Sequence, residues 1–113
     1  MAGIPGVLPP EGAIAVIFVA LRTPQDNVGY DEAADRMEQL AGTQPGYLGI
    51  DSARDADGLG ITVSYWADEA SARAWKANAE HAAVRDMGRK RWYAYYRLIV
   101  ASVDRAYSWS IDN

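Results

Sequence analysis

The chain has 113 residues, half of them hydrophobic, with a net charge of −4 and a pI near 4.8. That length suits one domain, and the acidic balance argues against a nucleic-acid partner, which needs a basic footprint. Cysteine is absent, which excludes disulfides, iron–sulfur clusters and thiolate zinc sites. No apolar run approaches the ~20 residues that span a bilayer, and no basic stretch precedes an apolar one at the N-terminus as in a signal peptide. The expectation is a cytoplasmic protein with no membrane contact.

In chain order, residues 1–12 carry Pro5, Pro9, Pro10 and several glycines and read as a flexible arm, with one folded domain over 13–113. Ala13 to Arg22 reads as a first strand, apolar on both alternating faces. Thr23 to Gly29 reads as a loop. From Tyr30 the period changes: Tyr30, Ala33, Ala34, Met37, Leu40 and Ala41 fall on one helical face. Asp31, Glu32, Asp35 and Glu38 fill the solvent side, with the acids early, where the helix dipole favours them. Gly42 is a candidate residue just past the helix end, and Pro45-Gly46 prevents continuation. Tyr47 to Arg54 reads as a second strand. Asp55-Ala56-Asp57-Gly58 makes a hairpin turn, and Gly60 to Trp66 a third strand rich in β-branched and aromatic residues. Asp68 suits an N-cap, with a helix to about Ala79 and a further helical stretch to Met87, ending near Gly88. The last element, Arg91 to Tyr107, reads as one long strand.

Strand, helix, strand, strand, helix, strand is the ferredoxin-like α+β order, βαββαβ with a four-stranded antiparallel sheet. Two features point to a homodimer. The strands are apolar on both faces: Ile14, Val16 and Phe18 oppose Ala15, Ile17 and Val19, while Tyr93, Tyr95 and Ile99 oppose Trp92, Tyr96, Leu98 and Val100. Two helices cover one face, and the other needs a partner. The last strand is also long enough to overhang its own sheet.

Several segments together resemble the antibiotic biosynthesis monooxygenase domain family, of the dimeric α/β-barrel group. They are Gln44-Pro45-Gly46-Tyr47-Leu48-Gly49, Gly60 to Trp66, Ala74-Trp75-Lys76, Glu80-His81, Gly88-Arg89 and Trp92-Tyr93. The resemblance runs from about Ala13 to Tyr107. It implies the fold, and it implies a role among quinone-forming monooxygenases, haem-degrading enzymes and proteins of unknown role. The haem-degrading branch uses an Asn on the first strand, a Trp, and a His ten residues beyond that Trp. Here the first strand has no Asn and His81 follows Trp75 by six, so haem degradation is not expected.

His81 is the sole histidine and titrates nearest neutrality. It is a candidate general base toward a phenol, or else a helix-end residue. Trp66 and Trp75 could stack on a flat aromatic ligand or pack the core. Thr62, Ser64 and Trp66 share the strand face that mixes polar and aromatic groups, as pocket walls do. Arg22 and Arg97 could hold an anionic substrate group or close a salt bridge at a strand end. Trp92, Tyr93, Tyr95, Tyr96 and Arg97 form an aromatic patch that suits a dimer interface and that a pocket would also explain. No carboxylate pair, metal cluster or flavin motif is present, so no cofactor is expected.

Three functional readings follow. The first is a cofactor-independent monooxygenase oxidising an aromatic phenol or hydroquinone with O2, with His81 or water as base. The second is a non-catalytic dimeric module binding a small aromatic molecule. The third is a haem protein with His81 as axial ligand.

Overall fold

The computed structural model describes residues 8–111, so most of the expected N-terminal arm lies outside the described residues. The elements are β1 (Ile14–Arg22), α1 (Asn27–Ala41), β2 (Tyr47–Arg54), β3 (Leu59–Trp66), α2 (Glu69–Ala77), α3 (Ala79–Met87), a π-helical turn (Gly88–Trp92) and β4 (Tyr93–Ser102). The four strands form one antiparallel sheet in the order β2-β3-β1-β4. This is the ferredoxin-like α+β architecture expected from the element order.

β1 lies inside the sheet, which accounts for its apolar character on both sides. Ile14 faces Trp66 on β3 and Ser102 on β4, and Leu21 faces Leu59 and Tyr95. The ladder with β4 then bulges between Leu21 and Arg22, so that Arg22 opposes Tyr93. A bulge puts one extra residue on a strand and flips the alternation beyond it. Tyr93 therefore shares the helix side with Tyr96, not the opposite side with Tyr95 and Ile99 as strict alternation suggests.

Local signals explain the helices. The non-exposed positions of α1 include the whole predicted face, Tyr30, Ala33, Ala34, Met37, Leu40 and Ala41. The helix starts three residues earlier than that face, because Asp26 caps it: its Oδ1 accepts from the Gly29 amide at 3.1 Å, in a left-handed conformation with φ 53°. Asp31 and Glu32 thus fall beyond the first turn, which holds no acid. Gly42 ends the helix in a right-handed conformation, and the left-handed glycine is Gly46 (φ 81°), packed too closely on Ser71 to carry a side chain. Asp68 caps α2 through the Ser71 amide at 2.7 Å. Asn78 breaks the following helical stretch and starts α3, accepting from the Glu80 and His81 amides at 3.0 and 3.2 Å.

The last strand is shorter than its apolar run. Arg91 and Trp92 belong to the π-helical turn, whose carbonyls are taken up at the end of β1. The Thr23 hydroxyl donates to Arg91, and the Thr23 amide and Arg22 Nε donate to Trp92 at 2.8 and 3.0 Å. At the other end the ladder stops because its partner stops. Val103 still exchanges backbone hydrogen bonds with Gly12 and Ala13, and β4 ends just before it, at Ser102, opposite the start of β1. Strand pairing, not side-chain character, sets the length.

The core lies between the sheet and the helices, where Ile14, Ala41, Trp66, Ala72 and Trp75 are buried, with Val16, Met37, Leu40 and Tyr47 packed around them. Among the described residues no helix covers the opposite face, and Leu21, Leu59, Ile61, Tyr95 and Ile99 remain 39–52% exposed there.

Candidate functional site

The helix side of the sheet has two ends of different character, separated by the length of β1, roughly 26 Å at about 3.3 Å per residue. Ile14 marks one end and Arg22 the other.

At the Ile14 end the aromatic groups are stacked against one another. The Trp66 and Trp75 ring centroids lie 5.8 Å apart at 25°, and the His81 ring lies on Trp75 at 4.2 Å and 13°. Tyr47 meets Trp66 edge-on at 5.7 Å. Trp66 is fully buried, and its indole N–H donates to Ser64 Oγ at 3.0 Å. His81 Nδ1 lies 2.9 Å from the Trp75 carbonyl oxygen. Burial holds the His81 pKa below its ordinary 6.5, with nearby Arg85 acting in the same direction against that carbonyl contact. Rings in such contact leave no slot for a flat ligand between them. Beside the stack an open groove of about 260 Å3 runs between Gln44-Pro45 and the start of α2, touching Trp75 but not His81.

At the Arg22 end the packing is looser for a reason legible in the register. Ala20 pairs with Gly60, and these two small residues form a low floor between Phe18, Thr62 and the first turns of α1. Above it, two cations lie against Tyr30. The Arg22 guanidinium lies 3.6 Å from the Tyr30 ring centre and that of Arg54 4.9 Å, within cation–π range. Arg54 Nη1 donates to the Tyr30 hydroxyl at 2.6 Å, and Arg22 Nη2 donates to the Gln25 carbonyl and Asn27 Oδ1 at 3.1 and 3.2 Å. Tyr93 closes the wall, edge-on to Tyr30 at 5.9 Å and to Phe18 at 5.4 Å. Burial pushes the Tyr93 phenol well above its ordinary value, and neighbouring Tyr30 adds to the rise. Among the described residues no carboxylate lies within ion-pairing distance of Arg22 or Arg54. The space left between these groups is about 10 Å3, room for about one water.

The predicted site residues thus divide. Ser64, Trp66, Trp75 and His81 are brought together at one end, and Arg22 stands at the other. Of the aromatic patch, Trp92 is buried edge-on against Tyr30 at 5.9 Å. Tyr93 and Tyr96 pack on Phe18, and Tyr95 and Arg97 lie on the open face. Tyr30 and Arg54 join Arg22 only through the fold: Tyr30 reads as a plain helix-face residue, and Arg54 as a strand end. The signal available in the sequence was that Arg54, Gly60 and Ala20 share a face once the hairpin is registered. Among the described residues no cluster of His, Asp or Glu could hold a metal ion, and no helix is long and apolar enough to cross a membrane.

The sheet order and the one-sided helical layer define the ferredoxin-like class. Residues 14–87 match the family described as antibiotic biosynthesis monooxygenase, and the chain belongs to that family. The uncharacterised protein YqjZ of Bacillus subtilis (strain 168) is 48% identical over 91 residues, covering 80% of this chain and 79% of its own. Among solved structures, SnoaB, a cofactor-independent oxygenase from Streptomyces nogalater, superposes with a TM-score of 0.71 at 11% identity, over 84% of this chain and 96% of that one. Rv0793 from Mycobacterium tuberculosis gives 0.72 at 15% identity, over 84% and 99%. At these identities the structural likeness speaks to the fold alone.

Proposed function

We propose that this protein is a homodimeric, cofactor-independent monooxygenase that oxidises an aromatic phenol or hydroquinone with O2 in the cleft between Arg22, Tyr30, Arg54 and Tyr93. The observation that carries this reading is the pair of guanidinium groups on an aromatic wall with no carboxylate among the described residues to neutralise them. Such a site favours an aromatic anion, because guanidinium groups without a carboxylate partner can donate charge-assisted hydrogen bonds to its oxygen. A phenol entering there ionises to water, its oxygen held by Arg54 and Arg22. The electron-rich ring gives one electron to O2, and the resulting radical pair combines at a ring carbon. Loss of water from the hydroperoxide leaves a quinone, so phenol plus O2 yields quinone plus H2O and the substrate supplies every electron. Admitting the ring to so small a space requires the exposed Arg54 to leave the Tyr30 hydroxyl and donate to the phenolate oxygen instead. His81 lies outside contact with the substrate in this scheme and supports the Trp75 stack. Dimerisation through the open sheet face has its motive in the apolar residues left there, Tyr95 among them, with the Arg97 cation on the same face.

The test is O2 uptake with a panel of naphthols, hydroquinones and polycyclic phenols, with one labelled oxygen atom from 18O2 expected in each quinone. No uptake above the spontaneous rate across the panel sinks the reading. One observation favours a non-catalytic binding module instead: the residues lining the cleft include no histidine and no carboxylate. That alternative predicts phenolate binding without O2 uptake.

A further inference from the structure

Gly60 lies inside β3 and is paired on both sides, with Ala20 of β1 and with Arg54 of β2. Glycine weakens a strand interior, because it loses more conformational freedom on folding than any other residue and brings no side chain to pack. Where the backbone needs a glycine, the reason shows in its geometry. Gly58, in the turn before β3, sits at φ 95°, and Gly46, at φ 81°, is pressed against Ser71. Gly60 shows neither reason. Its φ is not positive, and a Cβ placed on it would meet nothing closer than Arg54 Cβ at 3.5 Å and the Ala53 carbonyl oxygen at 3.8 Å, ordinary van der Waals contacts. A strand glycine that the backbone does not require marks a place where something else approaches closely.

The vacancy opens into the cleft. Arg54, Gly60, Ala20 and Tyr96 form one row across the helix side of the sheet, and Gly60 lines the space of about 10 Å3 with Arg54, Tyr30 and Tyr93. We infer that Gly60 is the specificity-determining residue of this cleft, its bare backbone being the surface on which a fused, two-ring phenol or hydroquinone lies. This rests on the cleft reading above and names the ring size that the cleft selects. Once Arg54 has left the Tyr30 hydroxyl, the row from β2 to β1 spans two strand spacings, roughly 10 Å, enough for two fused rings side by side. A Cβ on β3 would stand under the middle of such a molecule. A single ring can shift along the row and avoid it.

Gly60→Ala separates a vacancy kept for a ligand from one that the fold needs. The variant is expected to melt about 2–6 °C above the wild type, because alanine loses less freedom on folding. Ligand selection should move the other way, the usual opposition between stability and a binding site. Under argon, where no oxidation occurs, quenching of the tyrosine and tryptophan fluorescence gives the affinities for 1,4-dihydroxynaphthalene and for single-ring hydroquinone. Their ratio is expected to fall at least about tenfold in Gly60→Ala, the scale of overfilling a packed site. With O2 admitted, the ratio of the two kcat/KM values should fall alike. A variant that melts below the wild type shows that the fold requires the glycine and overturns the inference, and so does an unchanged affinity ratio. A ratio that falls under argon, with neither compound oxidised in air, upholds the inference and sinks the monooxygenase reading. O2 uptake by the wild type with an unchanged ratio in the variant does the reverse. A wild-type protein that binds neither compound removes both.

Discussion

Arg54 stands at the rim of the cleft, hydrogen-bonded to the Tyr30 hydroxyl. Its replacement removes a charge without disturbing the backbone contacts that Arg22 makes to Trp92. Arg54→Met should lower kcat/KM for a phenolic substrate by about 10–10²-fold, the scale of one hydrogen bond to a charged group, with the melting temperature little changed. An unaltered kcat/KM would place the substrate elsewhere. His81 tests the opposite end. It sits on Trp75, away from the two arginines, so His81→Gln should leave turnover within a few-fold, whereas loss of a general base costs about 10²–10⁴. Its effect belongs to stability instead. The folded-state pKa lies below 6.5 because burial penalises the imidazolium, so the unfolded chain binds the proton more readily. Stability from this group is complete above pH 6.5 and is lost as pH falls from there through the lower folded value. Melting curves between pH 7.5 and 5 should therefore fall less steeply for His81→Gln than for wild type.

The start of α1 is tied to the π-helical turn through one side chain. Asp26 caps the helix through Gly29, and its other oxygen accepts from the Trp92 indole N–H at 3.4 Å and pairs with Arg91 at 3.5 Å. The π-helical turn is thereby held against the helix that presents Tyr30, and π-bulges are frequent near functional sites. Asp26→Ala removes the cap and places a Cβ-bearing residue without a local hydrogen bond at positive φ. It should destabilise the fold by about 1–2 kcal/mol, measured by urea unfolding. Asp26→Asn, which keeps the capping oxygen and tolerates the left-handed conformation, should recover most of that loss. Equal losses in the two variants would assign the effect to the Arg91 pair instead.

At the scale of the whole molecule, the sheet separates a packed layer from an uncovered one. Trp66 is fully buried under the helices, while Ile61, on the other face of the same strand, is 44% exposed. In the dimer proposed above a partner copy turns that exposure into burial, and a charge at its centre opposes it. Ile61→Lys should convert the dimer to monomer at micromolar concentration in sedimentation velocity, with far-UV circular dichroism retained because the helix-side core is untouched. A variant that sediments as the wild type would show that the open face is not the interface.

Much of this architecture was determined by short-range pattern. The continuous apolar, β-branched run of Ile14–Leu21 and the helical face from Tyr30 to Ala41 each act within a few residues. So do the Asp68 and Asn78 caps and the Asp55–Gly58 turn, so element order could be read in the chain itself. Pairing could not. The end of β4 depends on where β1 runs out, and the side on which Tyr93 lies depends on a bulge at Leu21/Arg22. Arg22 could be singled out as a lone strand-end cation. Its meeting with Tyr30 and Arg54 is a consequence of register among three separate elements, with the Ala20–Gly60 pair beneath them leaving room for it. Trp66, Trp75 and His81 were equally visible as aromatic groups, but only side-chain packing decided that they fill one another's faces. Local propensity carries no information about a space that two distant segments leave between them, and the cleft proposed to take the substrate is such a space.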